Sequence, residues 1–356
     1  MSKNKKPARF LKALLGVILA LIILVVGAFL ALTLTEYKPA DIEAVTVPQG
    51  GDKVKAGQSL TIVSFNTGYA ALGETEDFFM DGGTKSRPDS ADVVEKDMQG
   101  IVSQISGFGA DIIMLQEVDT GSRRSYNTKQ ASYYSRELGL PYVFACNYSS
   151  AFVPYPVPNV LGKVHSGLAT YTDLAVDSAS RVQLPVPFSW PVRCFNLKRC
   201  LLVSRMPVEG SDKELVIVNL HLEAYDDGEG KAAQTKMLYD FLAEEYAKGN
   251  YVIAGGDFNQ TFPGAHEYPA LTEGCWMPGV VSADLPAGFS FKFGEGDSPT
   301  CRLLDKPYKG NDAPQYYIID GFIVSDNISV ETVEVVDRSF TYSDHQPVRI
   351  VVTIAE

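Results

Sequence analysis

A chain of 356 residues with 46% hydrophobic residues, 18 Tyr and 18 Phe can bury one large core, which excludes an intrinsically disordered protein. Its formal net charge is −12, and setting aside the five basic residues of the first twelve positions leaves 26 Lys and Arg against 43 Asp and Glu, a balance of −17. A field of that sign repels polyanions and disfavours nucleic acid as a partner.

The five are Lys3, Lys5, Lys6, Arg9 and Lys12, a basic tail over residues 1–12. Residues 13–34 follow without a charge, enough at about 1.5 Å per residue to cross a bilayer core of roughly 30 Å, so a single transmembrane helix is expected. A cleaved signal peptide is the rival, but its apolar region is usually about 7 to 15 residues and no persuasive small-x-small cleavage site follows here. Positive charge stays cytoplasmic, so the chain after Glu36 is expected outside the cell membrane. Residues 35–58 carry Pro, Gly and mixed charge without periodicity and read as a linker to a catalytic domain over 59–356.

Short apolar runs bounded by turn residues predict strands at 60–67, 111–118, 168–172, 200–206, 215–222, 251–259, 316–325 and 347–354. Two helices are expected between them. Residues 90–107 align Val94, Met98, Ile101, Val102 and Ile105 on one stripe, and residues 230–247 align Ala233, Met237, Leu238, Phe241 and Leu242. Strands outnumber helices and many alternate in polarity, so the expected fold is α/β (α+β), with sheet packed on sheet and helices outside. The run LPAGFSFKF (285–293) is either a buried strand or a loop that offers phenylalanines to lipid. Five cysteines show no zinc-site spacing. An odd count leaves at least one unpaired, with Cys194 and Cys200 the nearest pair and buried thiols the alternative.

Polar residues end the apolar runs: Asn66, Glu117, His221, and Asp257 with Asn259. A strand end is a rigid platform whose next residues can face a cleft. Alone, each is a solvated strand terminus; together with Asp320 and Asp344 they make a set of hard oxygen donors suited to Mg2+, Mn2+ or Ca2+ and not zinc. Asp344 and His345 are adjacent, so in an extended segment their side chains point opposite ways. Asp320 interrupts an apolar run and needs a partner if buried, for which a histidine is suited.

The set SFN, LQE, NLHL, GGDFN, IID and SDH, in this order, resembles the endonuclease/exonuclease/phosphatase superfamily over roughly residues 59–355. The resemblance implies a four-layer sandwich of two β-sheets flanked by helices, hydrolysing phosphate esters with magnesium. It implies Glu117 as principal metal ligand with Asn66 and Asp344. Asp257 and Asn259 would orient or activate water, His345 paired with Asp320 would act as base or phosphate contact, and His221 would donate to a phosphate or leaving oxygen. The Ser-Arg that many members carry after a glycine-rich strand is absent from HSGLATYT (165–172). Arg124, Lys198 and Arg199 are cations for substrate phosphate, with solvated surface charge as the plainer account. His165 and His266 are expected outside the catalytic set.

The chemistry agrees with that assignment. Phosphate ester hydrolysis needs charge neutralisation, an in-line water and a stabilised leaving oxygen, and the sequence contains no G-x-S-x-G elbow for a metal-free nucleophile. A lipid or small-molecule phosphodiester suits a membrane-held acidic domain; a membrane-anchored nuclease and an inactive binding scaffold are the alternatives.

Overall fold

The computed structural model of the chain describes residues 6–226 and 228–355, so Lys3 and Lys5 of the basic tail lie outside the described residues. The first helix, α1 (Lys6–Leu34), includes the uncharged run and is long and apolar enough to cross a membrane; its apolar stretch is not buried against the rest of the chain.

Beyond α1 the chain builds two sheets. In chain order the elements are β1 (Ile42–Val45), β2 (Ser59–Asn66), α2 (Ala91–Ser106), β3 (Ile112–Asp119), α3 (Gln130–Leu138), β4 (Tyr142–Val153), β5 (Gly162–Tyr171) and β6 (Ser178–Gln183). Then follow β7 (Cys200–Pro207), β8 (Glu214–His221), α4 (Glu229–Ala247), β9 (Tyr251–Asp257), β10 (Phe289–Lys292), β11 (Asp320–Ser325), β12 (Ile328–Val335) and β13 (Val348–Ile354). A seven-stranded sheet has the order β1-β6-β7-β8-β9-β11-β10 and a six-stranded sheet the order β12-β13-β2-β3-β5-β4. The inner faces meet through Ile62, Met114, Leu202, Ile217, Ile253 and Ile350. Helix α4 covers the outer face of the first sheet, and α2 with α3 cover that of the second. The result is the expected four-layer sandwich, and helix cover on both sides explains why β3 and β8 are buried almost throughout.

Helix α2 buries Val94, Met98, Ile101 and Ile105 as the spacing predicts. The face of α4 is rotated from expectation: Ala233 is exposed, while Gln234 and Thr235 are buried. The reason is polar, because Gln234 accepts from the Glu223 amide at 2.9 Å and donates to the Pro185 carbonyl at 2.8 Å. The run 316–325 is split, only Asp320–Ser325 joining the large sheet. Residues 289–292 form a half-buried edge strand packed on the α4 side, which leaves no free phenylalanine loop there. All five cysteines are free thiols, so Cys194 and Cys200 form no disulfide.

The linker expectation is corrected by sheet geometry. β1 pairs antiparallel with β6 at the sheet edge, Asp52 and Val54 bridge to Leu174 and Val208, and Val54 is fully buried. The Glu36 side chain is 3% exposed and lies 3.2 Å from Lys198 and 3.3 Å from Arg193. An open edge on β6 supplies backbone partners that local composition cannot reveal.

On the outer face, Arg205 joins Glu245 and Glu214 at 2.7 and 2.8 Å, and Lys248 and Asn250 also bond Glu245. Burial opposes the Glu245 charge, but the hydrogen bonds from Arg205, Lys248 and Asn250 outweigh it and hold the carboxyl at about 2. A depressed carboxyl contributes stability that is present above its unfolded value and lost as pH falls through the folded one. Glu245→Gln is therefore expected to cost about 2 kcal/mol at pH 7, with the gap to wild type closing between about pH 4.5 and 2. Denaturant unfolding at several pH values checks this; a gap independent of pH would refute it.

Candidate active site

Strands β2 and β3 run parallel, as do β8 and β9, so the ends of the four central strands come together at one edge of the sandwich. In the seven-stranded sheet His221 pairs in register with Asp257, and Asp257 with Asp320, placing three polar side chains in one row across β8, β9 and β11. Gly256 permits this row. Its φ is +148°, and a Cβ there would lie 1.9 Å from the Leu220 carbonyl oxygen, so only glycine allows β8 and β9 to close. Opposite, β3 carries a bulge between Leu115 and Val118, within which Glu117 adopts φ 57°. The bulge turns the carboxylate out of the pleat and into the cleft, the kind of strained conformation that gathers at functional sites.

The histidines occupy different surroundings. His345 Nδ1 lies 2.8 Å from Asp320 Oδ2, and its Nε2 lies 3.7 Å from Asp257 Oδ2 and 4.0 Å from Asp344 Oδ2. Burial works against its charge, but Asp320 and the other acids outweigh it and raise it well above the ordinary imidazole value. His221 Nε2 is 3.4 Å from Asp257 Oδ2 and 3.9 Å from Glu117 Oε1. Burial, reinforced by Arg199 and His345, holds it well below that value. Asn66 Nδ2 donates to Asp257 Oδ2 at 3.0 Å, and the Asn259 amide donates to Asp257 Oδ1 at 2.8 Å, so Asp257 is fixed from both sides. Burial and then the neighbouring Asp320 raise Asp257; burial and then Asp344 raise Glu117.

Asp344 and His345 do not diverge as an extended segment would require. Residues 341–344 form bends, and both side chains line the same cleft. That cleft holds about 210 Å³ and is two-sided. Across from the acids and histidines stands an aromatic wall including Phe78, Phe79, Tyr155, Phe188 and Trp276. Tyr225 donates to Asp81 at 2.7 Å, and burial chiefly pushes Asp81 up to about 6. Tyr225, Asp81 and Arg302, all cleft residues, carry no motif and are absent from the sequence-derived set.

The three candidate substrate cations are not surface charges. Arg124 is buried, doubly bonded to Asp119 at 3.0 and 3.1 Å and 3.2 Å above the Tyr69 ring, and it lines the cleft. Arg199 lines it too; it is 4% exposed, and its Nε and Nη1 have no hydrogen-bond partner among the described residues. Lys198 is not brought to the cleft, because its ammonium bonds Glu36 and the Arg193 carbonyl. His165 bonds Thr120 and His266 packs edge-on against Tyr268, both outside the cleft lining.

The donor set fits a hard divalent cation. Glu117 and Asp344 are nearly buried carboxylates, and among the described residues neither has a Lys or Arg nitrogen at ion-pair distance, while Asp344 adds to burial in raising the cost of charge on Glu117. An uncompensated pair of this kind is stabilised by a cation between them. Cys301, Asp344 and His345 also converge within 4.8 Å, but burial pushes the Cys301 thiol up to about 12, which makes it a poor ligand.

The model of the Endonuclease/Exonuclease/phosphatase family matches residues 64–345. No curated protein matches the chain. Among solved structures, an endonuclease/exonuclease/phosphatase from Beutenbergia cavernae aligns with TM-score 0.55 at 16% identity, covering 84% of this chain and 72% of that one. A family protein from Bacteroides thetaiotaomicron aligns with TM-score 0.52 at 16% identity, over 84% of this chain and 99% of that one. Truncated Caenorhabditis elegans TDP2 aligns with TM-score 0.51 at 17% identity, over 84% and 99% of the two chains. These likenesses concern the fold.

Proposed function

We propose that this chain, which belongs to the endonuclease/exonuclease/phosphatase family of divalent-metal-dependent phosphoesterases and nucleases, is a membrane-anchored phosphodiesterase. Its substrate is a lipid or small-molecule phosphodiester, and its catalytic domain, residues 59–356 with β1 and Val54 packed onto it, works outside the membrane. The observation that carries this reading is that His221 and Asp257, in register on β8 and β9 with Asp320 beside them on β11, line one cleft with Glu117 and Asp344.

In this reading Glu117, Asp344 and Asn66 hold Mg2+, or Mn2+ or Ca2+ in its place. An ion held by these residues would supply charge neutralisation at the phosphate oxygens. Asp257, fixed by Asn66 and Asn259, orients the attacking water and accepts its proton. His345, held by Asp320, lies beside Asp257 and contacts the phosphate. His221 directs an N–H toward a phosphate or leaving oxygen. Arg199, which lies 3.7 Å from Glu223 through Nε and whose Nη1 has no hydrogen-bond partner among the described residues, and Arg124 balance substrate charge. Lys198 anchors Glu36 and takes no part. The acidic balance of −17 outside the tail supports a small or lipid substrate over nucleic acid.

The full chain in detergent with Mg2+ is expected to hydrolyse bis(4-nitrophenyl) phosphate. Excess EDTA should abolish turnover, and Mg2+ or Mn2+ should restore it. No hydrolysis of this diester with any of the three ions would refute the reading. Faster cleavage of DNA that weakens steeply with salt would favour the nuclease instead.

A further inference from the structure

The segment 188–199 has two faces. Phe188, Asn196, Leu197 and Arg199 line the cleft. Between them, Trp190 packs at a tilt on Phe29 of α1, 5.5 Å between ring centroids, and donates to Thr33 Oγ1 at 3.0 Å, while Arg193, Cys194 and Lys198 gather on Glu36, two residues past the helix end. Phe188 and Trp190 are two residues apart, at most about 7 Å between their Cα atoms. The aromatic wall of the cleft is thus joined directly to the last turn of the apolar helix.

That junction fixes the cleft relative to a bilayer. A helix whose uncharged run covers residues 13–34 spans about 33 Å, so Phe29 and Thr33 stand where hydrocarbon gives way to headgroups. Trp190, 52% exposed with its indole N–H bonded, is suited to that boundary. Beside it Tyr155 packs on Phe195 at 6.0 Å, and the adjoining loop exposes Val157 at 83%. These apolar side chains continue from the helix end to the cleft rim.

Resting on the phosphodiesterase reading, we infer that the cleft opens onto the bilayer that holds α1 and takes its substrate from it: a phosphodiester lipid whose hydrocarbon lies along Phe188, Phe79 and Tyr155 while its phosphate reaches Glu117 and Arg199. Water adds its oxygen to phosphorus, the ester P–O bond breaks, the leaving oxygen takes a proton, and an alcohol and a phosphomonoester result. Glu36, β1, Asp52 and Val54 all pack onto the domain, which ties its cleft closely to the end of α1 and to the bilayer that holds it.

The test reconstitutes the full chain into vesicles of phosphatidylcholine, phosphatidylglycerol, phosphatidylinositol and sphingomyelin, with radiolabelled lipid either in the protein's own vesicles or in separate ones. Hydrolysis in the protein's own bilayer is expected to exceed that in separate vesicles by about a hundredfold, the gain that confinement gives. Trp190→Ala should reduce the own-bilayer rate about tenfold relative to bis(4-nitrophenyl) phosphate turnover in the same vesicles, a drop of about 1.4 kcal/mol. Equal rates in the two arrangements, cleavage of the soluble diester with every lipid untouched, or equal loss on both substrates in Trp190→Ala would each overturn the inference. The wild-type comparison needs no variant to fold. Absence of bis(4-nitrophenyl) phosphate hydrolysis would instead overturn the phosphodiesterase reading itself.

Discussion

Glu117→Gln is expected to lower kcat on bis(4-nitrophenyl) phosphate by about a thousandfold or more, about 4 kcal/mol of transition-state stabilisation, while leaving the metal-free fold at least as stable as wild type. The two halves have one cause. Glu117 is held in a left-handed backbone conformation by the β3 bulge, is nearly buried, and finds no Lys or Arg at ion-pair distance among the described residues. The one basic group at ion-pair distance among the described residues is His221, at 3.9 Å, an imidazole held neutral by its surroundings. An acid so placed costs folding free energy unless a cation arrives, which is the expected signature of a residue kept for function. Glutamine keeps the shape and removes the charge. Thermal unfolding of both proteins with and without Mg2+ decides the matter: wild type should gain stability with the ion by mass action and the variant should gain little. A variant that is inactive, less stable without metal, and equally stabilised by Mg2+ would show Glu117 to be structural.

Much of this site was legible because it sits at strand ends, where an apolar run stops on an acid, amide or histidine. Glu117, His221, Asp257, Asp344 and His345 line one cleft for that reason, and Asn66 and Asp320 reach it through Asp257 and His345. What local sequence hides is anything decided by a distant partner. The bulge that turns Glu117 depends on how β3 pairs with β5, and nothing in IIMLQEVD announces it. Arg124 reads as one more charge in a polar loop until Asp119 and Tyr69 close around it. Residues 35–58 look like a tether because their composition is that of one, yet an unpaired edge of β6 captures them. The aromatic wall is assembled from separate segments with no shared motif, and its link to α1 runs through Trp190, one of two tryptophans in the chain. The buried tie between the sheets, Gln116 to Asn219 at 2.8 Å, similarly joins residues 103 apart.

Asp320→Asn is expected to lower kcat about a hundredfold or more, about 3 kcal/mol, with KM changed by less than about threefold. Asp320 is buried, its Oδ2 is 2.8 Å from His345 Nδ1, and Thr300 Oγ1 accepts from its backbone amide at 3.1 Å, so its position does not depend on its charge. The carboxylate accepts from Nδ1, favours the charged imidazole and directs Nε2 toward Asp257 and the cleft. Asparagine fits the space but removes the charge that holds the imidazole protonated, so the ring loses both its charge and its fixed orientation. Because Asp320 acts through His345 in this account, the two losses should not add. His345→Ala alone should cost at least as much as Asp320→Asn, and combining them should lower kcat by no more than about threefold beyond His345→Ala. If the double variant instead multiplies the two losses, Asp320 contributes by another route, and its register with Asp257 on β9 is where that route would run.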